Sequence, residues 1–183
     1  MRVVWLSASF LMLSWSLPAG TVDSYLFGTV PSDGLVSGAP GSTVGWGYTI
    51  TNESPTLWLV TTSLNTGPFV SASPGLLFDF PILDPLTSVT EPFDPSIGAG
   101  LFELIWDSSA PPGFSNVGEF TISAEWWTGP PGNGGLFFDN APDVAQPYGA
   151  SVDDSPEPGT SALLVLGLVL VWRAGGYTAR PVA

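Results

Sequence analysis

Turn-forming residues punctuate this chain so densely that long helices have little room. Its 183 residues include 22 Gly and 19 Pro. Proline lacks an amide donor and fixes φ, and glycine has the most backbone freedom to lose, so both interrupt regular structure. The punctuation is clustered at Pro31-Ser32-Asp33-Gly34, Ala39-Pro40-Gly41-Ser42, Asn52-Glu53-Ser54-Pro55, Ala110-Pro111-Pro112-Gly113 and Gly129-Pro130-Pro131-Gly132-Asn133-Gly134. Between the clusters, apolar residues recur at every second position, the period of a strand with one buried face.

Four segments carry that alternation most clearly. In Thr43–Thr51, Val44, Trp46, Tyr48 and Ile50 share a face; in Leu76–Ile82, Leu76, Phe78, Phe80 and Ile82 do so. In Leu101–Trp106, Phe102, Leu104 and Trp106 oppose Glu103. In Val117–Trp127, Phe120, Ile122, Ala124 and Trp126 oppose Glu119, Thr121, Ser123 and Glu125. Leu57–Leu64 is apolar on both faces and then Thr-rich, and weaker strands fall at Tyr25–Val30, Ser88–Phe93, Leu136–Phe138 and Tyr148–Val152. Strands at this spacing without an amphipathic helix predict an all-β chain, an antiparallel β-sandwich with two sheets on one core. Trp46, Trp106 and Trp58 are expected in that core. There is no internal repeat, and residues 20–152 are enough for one domain.

Charge divides the chain sharply. Its three basic residues are Arg2, Arg173 and Arg180, its 16 carboxylates all lie between Asp23 and Glu157, and it has no Lys, His or Cys. The central domain therefore contains no cationic side chain and no side-chain salt bridge. Nucleic acid is excluded as a partner, because phosphate binding relies on Lys and Arg, and anionic lipid headgroups are excluded for the same reason. Thiol chemistry, a Ser-His-Asp triad, imidazole metal sites and lysine Schiff bases are excluded by composition. What remains is carboxylate chemistry: glycoside hydrolysis by an Asp/Glu pair, or calcium held by oxygen ligands.

The two ends read as targeting segments. Met1-Arg2 followed by the apolar stretch Val3–Leu17 predicts a secretory signal peptide over 1–19, with cleavage after Ser16 or near Ala19. At the other end, an acidic linker from Asp153 leads to Pro156-Glu157-Pro158-Gly159-Thr160, then an apolar run Ala162–Trp172, then Arg173. The 11 residues of that run include five Leu and three Val. With tolerable neighbours it approaches the roughly 20 residues that a bilayer core requires. It predicts a single short transmembrane helix with its C-terminus in the cytoplasm, because the basic residues follow the span.

Residues 153–183 resemble the PEP-CTERM sorting signal of Gram-negative bacteria. The resemblance is carried by Pro156, Glu157, Pro158, Gly159 and Thr160, by the Leu/Val run and by Arg173. The chain departs from the family in spacing its basic residues, Arg173 and Arg180, instead of clustering them. The resemblance implies an exosortase-like membrane protease as partner, cutting near the Pro-Glu-Pro motif, and an association with exopolysaccharide and biofilm. Gly45–Asn52, Trp58–Val60, Phe78–Leu83 and Ala124–Trp127 are similar to uncharacterised ectodomains bearing the same tail, which implies no activity.

The candidate binding residues are Trp127 and Glu125. Alternation places both on the outer face before a Gly/Pro-rich loop, where an indole stacks a sugar ring and an acid takes its hydroxyls. The alternative is that Trp127 covers the end of the sandwich beneath the loop Gly129–Gly135. For hydrolysis, Glu103, Glu119 and Glu125 are the outward carboxylates. For calcium, Asp139, Asp143, Asp153 and Asp154 form the densest acidic stretch, suited at most to a weak site, with spacing that matches no EF-hand or nonapeptide repeat. No other cofactor, no resident metal and no catalytic residue are expected. Asn52-Glu53-Ser54 fits a glycosylation sequon by chance.

These features lead to the expectation of a non-enzymatic exported protein. Its precursor is anchored in the inner membrane, then processed and placed at the cell surface or outside, as a structural component of the envelope or matrix. A carbohydrate-binding adhesin is the first alternative and a two-carboxylate glycoside hydrolase the second. The unbalanced charge carries its own prediction. Screening shortens the reach of carboxylate repulsion to about 10 Å at 0.1 M salt. Added salt or millimolar calcium should therefore raise the thermal midpoint; an unchanged midpoint in both would mean that this repulsion is negligible.

Overall fold

The computed structural model of the chain describes residues 23–154 together with Leu164, Leu166 and Leu168. Those three leucines are helical and exposed. No helix among the described residues is long and apolar enough to cross a membrane. The expected leader (1–19), the motif Pro156–Thr160 and Arg173 lie outside the described residues.

The fold is all-β. Ten strands follow in order: β1 (Tyr25–Val30), β2 (Leu35–Gly38), β3 (Thr43–Asn52), β4 (Trp58–Asn65), β5 (Ala72–Leu76), β6 (Ile82–Leu83), β7 (Ser88–Glu91), β8 (Phe102–Trp106), β9 (Ser115–Trp127) and β10 (Phe137–Val152). One sheet runs β1-β3-β8-β5, with β7 beside the C-terminal half of β3; the other runs β2-β10-β9-β4-β6. From β1 to β7 the chain changes sheet at every connection, so the two sheets are sewn together along their length. The turns are the expected Gly/Pro clusters. At Pro31–Gly34, for example, Gly34 has a φ of 69° and donates to the Pro31 carbonyl at 3.0 Å.

The sheets meet face to face over an aromatic core. Trp46 of β3 packs on Phe120 of β9 (ring centroids 5.2 Å apart) and on Tyr148 of β10 (5.3 Å). Phe120 and Tyr148 lie 4.5 Å apart, and Phe102 of β8 lies 5.6 Å from Phe120. Phe69, from the β4–β5 connection, stacks on both Phe102 and Tyr148. The alternation in β3, β8 and β9 predicted these inward residues: Trp46, Ile50, Leu104, Phe120 and Ile122 are fully buried. Gly118 sits opposite Tyr148 in the register, and a β-carbon there would fall 2.6 Å from the phenol oxygen, so the ring occupies the space glycine leaves.

Several expectations are corrected. Leu76–Ile82 is not a strand: β5 ends at Leu76 and β6 is only Ile82–Leu83. The residues between them carry the chain from one sheet to the other. Phe80 lies at φ 55° and Pro81 has no amide to pair, yet Phe78 reaches the core and meets the Phe80 ring edge-on at 4.9 Å. Strands β2 and β5 were not foreseen, since Ala72-Ser73-Pro74-Gly75 reads as loop. Phe137-Phe138 and Tyr148–Val152 are parts of one long strand, β10, which excludes Leu136 and whose register shifts between Phe137 and Asp139 and again between Ala141 and Val144, at Pro142-Asp143. The sandwich is not wholly antiparallel, because β2 pairs parallel with β10. Trp58 is not a core residue but lies half-buried on the outer face.

Two core tryptophans differ in one bond. The Trp46 indole N–H donates to the Gly34 carbonyl at 2.8 Å. The Trp106 indole N–H is buried without an acceptor among the described residues. An unmatched buried donor costs about 1–3 kcal/mol. Trp106→Phe should therefore destabilise the protein by about 1–2 kcal/mol less than Trp46→Phe in urea denaturation, for the same loss of ring volume; equal losses would refute this.

Candidate functional site

The outer face of the β2-β10-β9-β4-β6 sheet changes character along the strands. At one end the register aligns Trp58 of β4, Trp127 of β9 and Phe137 of β10 side by side. The next outward row is Ile82, Val60, Glu125 and Asn140, from β6, β4, β9 and β10. Farther along, Ser63, Asn65, Thr121 and Ser123 are small and polar. The aromatic row arises because β4 and β9 each place a buried residue, Leu59 or Trp126, between outward neighbours on the same strand.

Within this row the side chains hold one another. The Trp127 indole N–H donates to Glu125 Oε2 at 2.9 Å, two residues back on the same face. The Phe137 ring meets the Trp127 ring at 6.3 Å and 88°, so the two form a right-angled step. Phe137 is half exposed, and Trp58 and Trp127 are half-buried. The loop after Trp127 is closed by Thr128, whose N–H donates to the Leu136 carbonyl at 2.9 Å. It leads directly into Leu136, Phe137 and Phe138, all exposed. Trp127 lies on the outer face of β9, half-buried, at the start of the loop Gly129–Gly135. Trp58 and Phe137 were missed as its neighbours. Both faces of Trp58-Leu59-Val60 are apolar, so alternation alone does not say which one is buried.

The other expected carboxylate sites are not assembled. Glu119 and Glu125 lie six residues apart on β9, roughly 20 Å at the rise of a strand, well beyond the 5–10 Å that glycosidase pairs use. Glu103 belongs to the opposite sheet, where it covers Gly75. Asp139 and Asp143 lie along β10 while Asp153 and Asp154 follow its far end, so the four do not converge. No group of three or more metal-ligating side chains occurs among the described residues. Asp79 and Glu91 do share a cavity of about 210 Å³ with Leu77 and Gly98–Gly100, and Asp79 accepts a hydrogen bond from the Tyr48 hydroxyl. Asn52 is fully buried, and its amide donates to the carbonyls of Leu57, Leu83 and Asp84. Its role is structural, closing the corner between β3 and β4.

Buried hydroxyls carry the marked electrostatics. Tyr25 is pushed up from its ordinary 10 to about 12, first by burial and then by the nearby Asp143 carboxylate. Its hydroxyl donates to the Ile122 carbonyl at 2.9 Å, tying β1 to β9 across the core. Tyr48 is raised too, by burial, by its bond to Asp79 and by the charges of Asp79 and Glu91.

Compared with protein-family models the chain matches none, and no curated protein is significantly similar to it.

Tyrosine ionisation yields a signed pH dependence. Below pH 10, Tyr25 is protonated in both folded and unfolded chains and its contribution is complete. Between about 10 and 12 only the unfolded chain releases the proton, so stability falls as pH rises through that window. Tyr25→Phe should flatten this alkaline decline in thermal midpoint while lowering the plateau at neutral pH through loss of the bond to Ile122. An unchanged slope would exclude Tyr25 as a contributor.

Proposed function

We propose that the chain is an exported structural protein of the bacterial cell envelope or extracellular matrix. Its precursor is held in the inner membrane by the segment around Ala162–Trp172 and cut near Pro156-Glu157-Pro158 by an exosortase-like protease. The observation that supports this reading is that the folded unit ends where the two expected targeting segments begin. Strand β1 begins at Tyr25, after the expected leader, and β10 ends at Val152, just before Pro156. Every basic residue of the chain lies outside that unit. A uniformly acidic surface keeps such a domain soluble and monodisperse once released.

A second reading, a carbohydrate-binding adhesin, is favoured by the row Trp58, Trp127 and Phe137 beside Glu125. Hydrolysis has less support, since the three outward glutamates are far apart or on different sheets.

Cell fractionation tests the first reading. The full-length protein should partition into membranes in cells lacking the processing protease, and a version truncated after Ser155 should not. A full-length form that stays soluble in those cells would overturn the assignment. Where the protease is present, the intact mass of the released form should place the C-terminal cut near residues 156–158.

A further inference from the structure

We infer that the row Trp58, Trp127 and Phe137 takes an uncharged polysaccharide, with a sugar ring seated in the right-angled step between Trp127 and Phe137. The inference deepens the adhesin reading and rests on it.

Geometry is the first argument. The three residues stand directly opposite one another in the register of adjacent strands. The Trp127 and Phe137 rings are 6.3 Å apart and at 88° to one another, so they form a step with a stacking face and a side wall, a shape that fits one sugar ring and not a flat apolar partner.

Preorganisation is the second. Trp127 is fixed at one edge by Glu125 and abutted by Phe137. Rings already held in place lose little side-chain freedom when a ligand arrives. The perpendicular Phe137 makes a wall beside the Trp127 face, so a sugar stacked on one ring is bounded by the other. Glu125 gives Oε2 to the indole, and its second oxygen remains to accept from a sugar hydroxyl. Asn140 stands opposite Glu125 on β10 and supplies an amide on the same row. Val60 and Ile82 continue that row as an apolar flank.

Charge selects the class of glycan. Residues 23–154 contain 15 carboxylates and no Lys, Arg or His. A uronate, sulfated or phosphorylated polymer would meet like charge at Glu125 and no counter-charge anywhere on the domain. A neutral polymer meets neither penalty. Contact through ring faces and hydroxyls is also insensitive to salt, unlike any attraction based on net charge.

The experiment titrates the full-length protein in detergent, following tryptophan fluorescence, with cello-oligosaccharides and β-1,4-mannan oligosaccharides as neutral probes and alginate oligosaccharides as the anionic comparator. We expect at least one neutral probe to bind with an affinity unchanged between low and high salt, and alginate not to bind. Trp127→Ala and Phe137→Ala should each weaken binding by about 30-fold, the scale of an aromatic hot spot. Val117→Ala, at the far end of the same face and 77% exposed, should leave it unchanged. Phe137 is half exposed, so its variant keeps the test valid should Trp127→Ala fail to fold. Alginate binding as tightly as the neutral probes would overturn the charge argument. Neutral binding that survives both aromatic variants would remove this row while leaving the adhesin reading intact. Absence of binding to every probe would overturn both. Concentration-dependent dimerisation abolished by Phe137→Ala would assign the row to a second copy of the chain instead. None of these outcomes touches the export reading, which membrane fractionation decides.

Discussion

The contact of Trp46 with Phe120 and Tyr148 is the joint on which this fold turns. One indole from the centre of β3 reaches across the layer to two rings from neighbouring strands of the opposite sheet. Phe102 and Phe69 close the cluster from either side. Burying a large aromatic side chain contributes several kcal/mol through area alone, and edge-to-face geometry adds about 0.5–1.5 kcal/mol per pair. The Trp46 N–H is spent on the carbonyl of Gly34, the residue that ends the β1–β2 turn. One side chain thus couples both sheets to the turn where the chain first passes between them. The requirement propagates: Gly118 must lack a side chain so that Tyr148 can lie flat beneath it.

A domain without cations has to satisfy its buried polar groups by other means. Here the solution is side chain to backbone. Asn52 gathers three carbonyls and accepts from the Ser54 amide. Asn116 exchanges two hydrogen bonds with the backbone of Val70. Tyr25 reaches the Ile122 carbonyl. None of these depends on an ion pair, so none weakens as salt screens charge. The carboxylates are left mostly at the surface, where they hold the ordinary local roles of acceptors in turns, as Asp94 does for Ser96. The satisfaction of the buried polar groups is therefore independent of the sign of the surface, whose carboxylate repulsion acts on stability separately.

The strands legible in the sequence were those whose two faces differ in chemistry. In β9 the alternation of Phe120, Ile122, Ala124 and Trp126 with Glu and Thr leaves no ambiguity. Where both faces are apolar, as at Trp58-Leu59-Val60, the pattern predicts a strand but not its orientation, and Trp58 was misassigned to the core. Leu76–Ile82 misled for a related reason. Its period-2 pattern arises because Phe78 and Phe80 cover the end of the core from an irregular crossover, and the left-handed turn at Phe80 cannot be seen in residue types. β5 was invisible because edge strands tolerate Pro and Gly. The candidate site was half legible: Trp127 and Glu125 come from one strand, whereas Trp58 and Phe137 join them only through pairing, which is a property of topology.

Topology also separates the aromatic row from the C-terminal end of the folded unit. β10 starts at Phe137, in the row, and ends at Val152, where the chain leaves toward Pro156. Its 16 residues pair along the 13 residues of β9 through two register shifts, so it spans roughly 40 Å at the rise of a strand. The exposed Leu35 and Val117, which flank Gly149, lie near the C-terminal end of β10 instead. The same long strand that completes the core therefore separates the two apolar patches of the outer face.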